Sequence, residues 1–237
     1  DTVTLKSNGI FNSEQAFSVM GIGPQDNIFS IDAAELEQRL KKCPAIRRAS
    51  VKRQISSNPT LLVDIDARIP VAWIDCPELG IHPGDATYGA LADKEGVIFP
   101  CMEQVHMPYI REKRMPSVTL RPPSSGKLSY GVSIRELEAP MKLIELLSGT
   151  VTEYLPSIVS ITTPNDWSFC VRFTNDCQAT FSHYGLEHQV EKLSRALRHA
   201  RQTHRKISSI NLIPEHNIPV IFDDSYEDIP LAEPIEE

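Results

Sequence analysis

Seven histidines, five cysteines and a scatter of serines and carboxylates are the residues of this 237-residue chain that could do chemistry. The histidines are His82, His106, His183, His188, His199, His204 and His216. No HExxH motif occurs, and no two histidines stand four apart. The pairs 183/188 and 199/204 are five apart, which on a helix sets the rings about 140° from each other. A shared metal is therefore not expected. Cys43, Cys76, Cys101, Cys170 and Cys177 contain neither a CxxC pair nor zinc-finger spacing. Buried free thiols are the expectation for them. Cys170 and Cys177 flank Asn175-Asp176. A two-residue turn there would pair Thr174 with Cys177 and Cys170 with Phe181. The thiols would then lie about 13 Å apart, beyond disulfide reach. No serine sits in a GxSxG elbow. Gly21-Ile22-Gly23 lacks the third glycine and the lysine of a phosphate loop. Asp64 and Asp66 share one strand face, which a solvated surface explains. Nothing here asks for catalysis, a cofactor or a small-molecule substrate.

Composition narrows the class further. Hydrophobic residues make up 41%, which suits a folded chain and argues against wholesale disorder. The formal charge is −7, but it is unevenly placed. Seven acids and no base follow Phe222, leaving 24 acids against 24 bases over residues 1–222. A neutral body does not carry the basic footprint of a nucleic-acid binder. The tail 223–237 reads as solvated. The longest stretch free of Asp, Glu, Lys and Arg is the twelve residues from Tyr154 to Asn165. A membrane helix needs roughly 20 apolar residues, so none is expected within this chain. The chain opens on Asp1 without a Met, and the numbering is expected to begin inside a longer protein.

The elements follow from local signals. Val3 to Lys6 alternates as a strand. A helix from Phe11-Asn12-Ser13 to Met20 ends at Gly21. Asp32 can cap a second helix, with Glu35 three positions on and Ile31 stapled to Leu36; it stops before Pro44. Ile46 to Ile55 reads as a strand, Ser56 to Pro59 as a turn, and Thr60 to Trp73 as one alternating strand. Residues 76–106 are irregular apart from a hairpin over Leu91 to Phe99, with Gly96 in its turn. Pro116 to Ser125 is a loop. Ser133 and Glu136 suggest a capping box for a helix to Ser148, which Pro140 should kink or delay. Then come strands at 158–161, 167–173 and 178–181, a helix over 186–200, and closing strands at 207–213 and 218–222.

Residues 1–75 thus show the strand-helix-helix-strand-strand order of a POTRA module. The segments Asn27 to Asp32, Pro44 to Arg53, Pro59-Thr60-Leu61 and Arg68-Ile69-Pro70-Val71-Ala72 resemble the FtsQ/DivIB cell-division family. So do the Leu91 to Phe99 hairpin and the later order of elements, over roughly residues 3–222. The chain departs from the family pattern at Ala67, Leu120 and Ile213 and carries the extra residues Ser56 to Asn58. The resemblance implies an α+β fold: a POTRA domain over 1–75, a second mixed β-sheet domain with packed helices over 76–222, and an acidic tail over 223–237. It implies a single-pass protein of the inner membrane, its transmembrane helix upstream of Asp1 and this part periplasmic. It further implies a non-catalytic scaffold of the septal division machinery that binds FtsB/FtsL-type partners. The rival is a POTRA-type chaperone or translocation module of outer-membrane assembly, but no second POTRA copy and no train of barrel strands follows.

Two surfaces are candidates. The last strand carries Ile218, Val220, Ile221 and Phe222 between Pro214 and the tail, and a proline at 219 marks an edge. An apolar edge needs a cover, and a partner strand supplies one. Leu212, Ile218, Pro219, Val220, Ile221 and Phe222 are the expected partner-binding residues. Because Pro219 has no N–H, it is expected to face outward together with Ile221, leaving Ile218, Val220 and Phe222 to bond the 207–213 strand. The second surface is the basic set Arg47, Arg48, Lys52 and Arg53. In a juxtamembrane module it would meet anionic headgroups.

Overall fold

The structure is a computed structural model that describes residues 2–23, 26–27, 32–54, 60–149 and 155–223. The expected Ile31 staple, the turn at 56–59 and the tail beyond Asp223 lie outside the described residues. Chain contacts divide the α+β protein into two compact units, Asp1–Met141 and Lys142–Glu237. No helix among the described residues is long and apolar enough to cross a membrane.

The first unit opens with β1 (Thr2–Ser7), α1 (Ser13–Met20), α2 (Ala33–Lys42), β2 (Ile46–Gln54) and β3 (Thr60–Ala67). These five give the expected strand-helix-helix-strand-strand order. The strands form a sheet in the order β1-β3-β2, with β1 parallel and β2 antiparallel to β3. Strict alternation in β3 sends Leu61, Val63, Ile65 and Ala67 into the core. Asn12 and Gln15 close a capping box at the start of α1. Gly21 ends that helix at φ 70°, a left-handed value that glycine takes at little cost. A Cβ there would also lie 2.8 Å from Arg39 Nη1, the group that donates to the Met20 carbonyl. Asp32 caps α2 by accepting from the Ala34 N–H, and Leu36 and Leu40 turn inward.

The run 60–73 is not one strand. It breaks at Arg68-Ile69, and β4 (Pro70–Asp75) belongs to a second sheet. Arg68 is the cause. Its N–H donates to Ala45 O and its guanidinium to Pro44 O and to the Asp93 carboxylate at 2.6 Å. A charge this deeply buried needs such partners, and reaching them turns the chain. β4 pairs antiparallel with β5 (Ala90–Asp93) and parallel with β7 (Ser117–Thr119); β6 (Ile98–Pro100) follows β5. The expected hairpin is therefore present, its turn held by Asp93 Oδ1 accepting from the N–H groups of Glu95 and Val97.

Two elements of this unit had no reading in the sequence. β7 lies inside the expected loop at 116–125. α3 (Glu103–Arg111) contains Pro108. Proline deprives the carbonyl four residues back of its donor, and here Gln15 Nε2 donates to that Gln104 carbonyl at 2.7 Å. The same Gln15 therefore caps one helix and repairs another. The expected capping box at Ser133 does not form. The Ser133 hydroxyl donates to Glu95 O, a 3-10 turn fills Arg135–Leu137, and α4 (Glu138–Gly149) starts late, with Pro140 in its first turn.

The second unit contains β8 (Ile158–Thr162), β9 (Ser168–Phe173), β10 (Gln178–Ser182), α5 (Leu186–Gln202), β11 (Ile207–Asn211) and β12 (Val220–Phe222). Its strands run in the order β12-β11-β10-β9-β8. α5 is the crossover that lets β10 and β11 run parallel. Phe169 and Phe181 form a buried cross-strand pair with rings 5.6 Å apart. The β9–β10 hairpin differs from the expected register by one residue. Phe173 N–H bonds to Cys177 O across the three-residue loop Thr174-Asn175-Asp176, and Asp176 takes φ 64°. Cys170 thus faces Thr180 rather than Phe181. Cys177 is buried with the Ala179 face, while Cys170 lies on the half-buried opposite face. The side chains point apart, and both thiols are free.

Candidate partner-binding edge

Among the described residues, β12 ends its sheet, and β11 is its one strand neighbour within the unit. It covers three residues rather than the expected five, so Ile218 and Pro219 precede it. A bulge between Ile207 and Ser209 sets the register Ser209↔Ile221 and Ile210↔Val220. Bulges bend a strand and are common at sheet edges. Lys206 closes the far end, its carbonyl accepting from the Asp223 N–H at 2.8 Å and its ammonium 3.6 Å from the Asp223 carboxylate.

The hydrogen-bonding phase is the reverse of the expected one. Asn211 N–H donates to Pro219 O at 3.0 Å. Pro219 therefore turns toward β11: it lacks a donor, but its carbonyl is free to accept. Backbone groups alternate along a strand. Ile221 must then face β11, while Val220 and Phe222 present their N–H and C=O groups outward. Those outward groups have no partner among the described residues. The expectation failed because it treated proline as barred from a ladder that it can still join as an acceptor.

Side chains sort the same segment into two faces. Ile221 is 63% exposed. Phe222 lies under the Arg205 guanidinium, 3.5 Å from ring centroid to Cζ, a contact worth roughly 1 kcal/mol. Ile218 lines a groove of about 400 Å³ with His188, Lys192, Arg195, Ala196 and Glu215. Lys192 Nζ donates to Pro214 O at 2.8 Å, tying the 214–217 turn to α5. Leu212 does not join this surface. It is fully buried, and its N–H is spent on Thr180 O. The sequence pointed to the strand, whereas the roles of Arg205 and the α5 side chains came from packing alone.

The basic set sits on β2, and Arg47 and Arg48 form ion pairs there. Arg47 pairs with Glu95, and Arg48 lies 3.2 Å from Asp66. Lys52 and Arg53 are exposed. Asp64 and Asp66 stand on the solvent side of β3, Asp64 3.8 Å from Lys6. Among the described residues, no three His, Cys, Asp or Glu side chains converge as a metal site. His106 is buried instead as a cap: its Nδ1 accepts from the Met102 N–H at 2.9 Å and its ring packs on Phe99. Burial depresses its basicity to a pKa of about 4, so the ring is neutral at pH 7.

Comparison with known proteins bears on the first unit. Residues 1–66 match the family model described as the POTRA domain, FtsQ-type. A search of curated proteins found no match. The matched span covers β1, both helices and β2, and all of β3 but its last residue. Residues 1–66 of this chain therefore form a POTRA domain of the FtsQ type.

Proposed function

We propose that this chain is the periplasmic part of a membrane-anchored, non-catalytic division scaffold, its transmembrane helix upstream of Asp1. It holds an FtsB/FtsL-type partner by strand addition to β12. The observation that carries the reading is the pair of outward N–H groups at Val220 and Phe222, without a partner among the described residues, on a sheet edge of a chain that begins with an FtsQ-type POTRA domain. A partner strand would take its main-chain bonds from those two residues and its specificity from the groove beside Ile218 and the exposed Ile221. Such main-chain pairing is tolerant of sequence, so the flanking side chains must select the partner.

Prolines separate the two sides of the strand. Val220→Pro removes one outward donor and should abolish capture of septal partners while leaving the melting curve close to that of the parent. Ile221→Pro removes the N–H bonded to Ser209 and should destabilise the second unit by about 1–2 kcal/mol. Pull-downs and thermal melts on both variants decide it. Normal partner capture by a folded Val220→Pro chain would exclude β12 as the docking edge.

A further inference from the structure

Thioether sulfur is a soft donor too, and in the first unit one methionine meets a cysteine. Cys43 ends α2 and Met102 opens α3. Their side chains come together with Cys43 Sγ 4.0 Å from Met102 Sδ. Both residues are half-buried and pack at the rim of the core rather than inside it. Each backbone is pinned. Cys43 N–H donates to Leu40 O and Cys43 O accepts from Ile46 N–H, both at 3.0 Å. Met102 N–H is held by His106 Nδ1 at 2.9 Å. Pro44 follows the cysteine, its φ fixed by the ring. Burial pushes the Cys43 thiol up, and hydrogen bonds from the Ala45 and Ile46 N–H groups to its sulfur oppose that.

Thiolate and thioether together are a ligand pair that soft Cu(I) selects. Taking the zinc–thiolate bond length of about 2.3 Å for each metal–sulfur bond, two such bonds across 4.0 Å meet at about 120°. That is the angle of a trigonal centre with one position left open. We propose that Cys43 Sγ and Met102 Sδ bind one Cu(I) ion, the third position being left to a ligand from solution. The cation replaces the thiol proton, which goes to solvent, and no electron is transferred. Zinc fits poorly, because its sites are built from thiolate, imidazole and carboxylate, most often four of them. Of the other thiols Cys76, Cys101 and Cys177 are buried, whereas Cys170 is half-buried and is the competitor to exclude. The same sulfur contact without a metal is a weak thiol–thioether hydrogen bond, and the test must separate the two. This proposal is independent of the reading of β12.

Cu(I) is titrated anaerobically into the folded chain against bicinchoninate, whose coloured copper complex reports the metal it gives up. The parent should withdraw one equivalent. Met102→Leu nearly keeps the side-chain volume and should weaken binding at least about tenfold, since even groups one step outside a metal site cost that much. Cys43→Ser should abolish the withdrawal, and Cys170→Ser should leave it intact. X-ray absorption should count one sulfur fewer around the copper in Met102→Leu than in the parent. Should Cys43→Ser fail to fold, Met102→Leu and Cys170→Ser decide the matter. A parent that withdraws no copper, equal affinities for the parent and Met102→Leu, loss of the equivalent in Cys170→Ser, or Zn(II) bound as tightly as Cu(I) would each overturn the proposal and leave a hydrogen bond only.

Discussion

His106 shows how a residue that invites a functional reading is spent on structure. Its Nδ1 must be unprotonated to accept the Met102 N–H, and its Nε2 has no partner among the described residues. The unfolded chain takes up a proton near the ordinary value of 6.5, whereas the folded chain resists down to about 4. Between those values the unfolded state binds more protons, so stability rises with pH there. The stabilisation is complete above pH 6.5 and falls as the solution is acidified. Urea unfolding at pH 7 and pH 5 should differ by about 2 kcal/mol from this group. In His106→Gln that share of the difference should vanish; an unchanged pH dependence would show that the ring is not the group responsible.

Among the elements, the joint between β3, β4 and the β5–β6 hairpin rests on one buried pair. Arg68 and Asp93 side chains are 12% and 7% exposed. Asp93 also holds its own turn, and Arg68 also reaches Pro44 O. Removing one partner strands the other charge away from water. Asp93→Ala should therefore cost about 3–5 kcal/mol. The more exposed Arg47–Glu95 pair bridges β2 and the same hairpin, yet Arg47→Ala should cost less than about 1 kcal/mol. Denaturant melts of the two variants test the contrast, and a small loss for Asp93→Ala would mean that the joint is held by packing instead.

For the whole molecule, the question is where one folding unit stops. The core around Leu36, Leu40, Leu61, Val63 and Ile65 continues without a break into Trp73, Leu91, Phe99, Val105 and Ile110. Each buried apolar side chain of that size contributes roughly 1.5–3 kcal/mol. A fragment ending near Asp75 keeps every cap and all three strands of the first sheet. We expect it to unfold cooperatively, but well below the temperature of the full chain, since it loses the Phe99, Val105 and Ile110 side of its core. A calorimetric scan of the fragment without a transition would place the boundary of the unit further along the chain.

The sequence by itself determined the local events. Asn12, Gly21 and Asp32 mark helix ends because capping is a property of neighbouring residues. Alternation in 60–67 and the helical spacing of Leu186, Val190 and Leu193 fixed which side is buried, and the order of the first five elements was enough to indicate the POTRA pattern. What it could not show were choices settled by distant partners. The break at Arg68 depends on Asp93, the helix around Pro108 depends on Gln15, and Ser133 left its expected cap for the Glu95 carbonyl. The edge of β12 belongs to the same class. Which of its residues face outward is decided by one hydrogen bond from Asn211 to Pro219, and a proline's missing donor says nothing about whether its carbonyl is wanted elsewhere. Local signals fix elements because they act within a turn of chain. Register, joints and open edges are fixed by groups that meet only once the chain has folded.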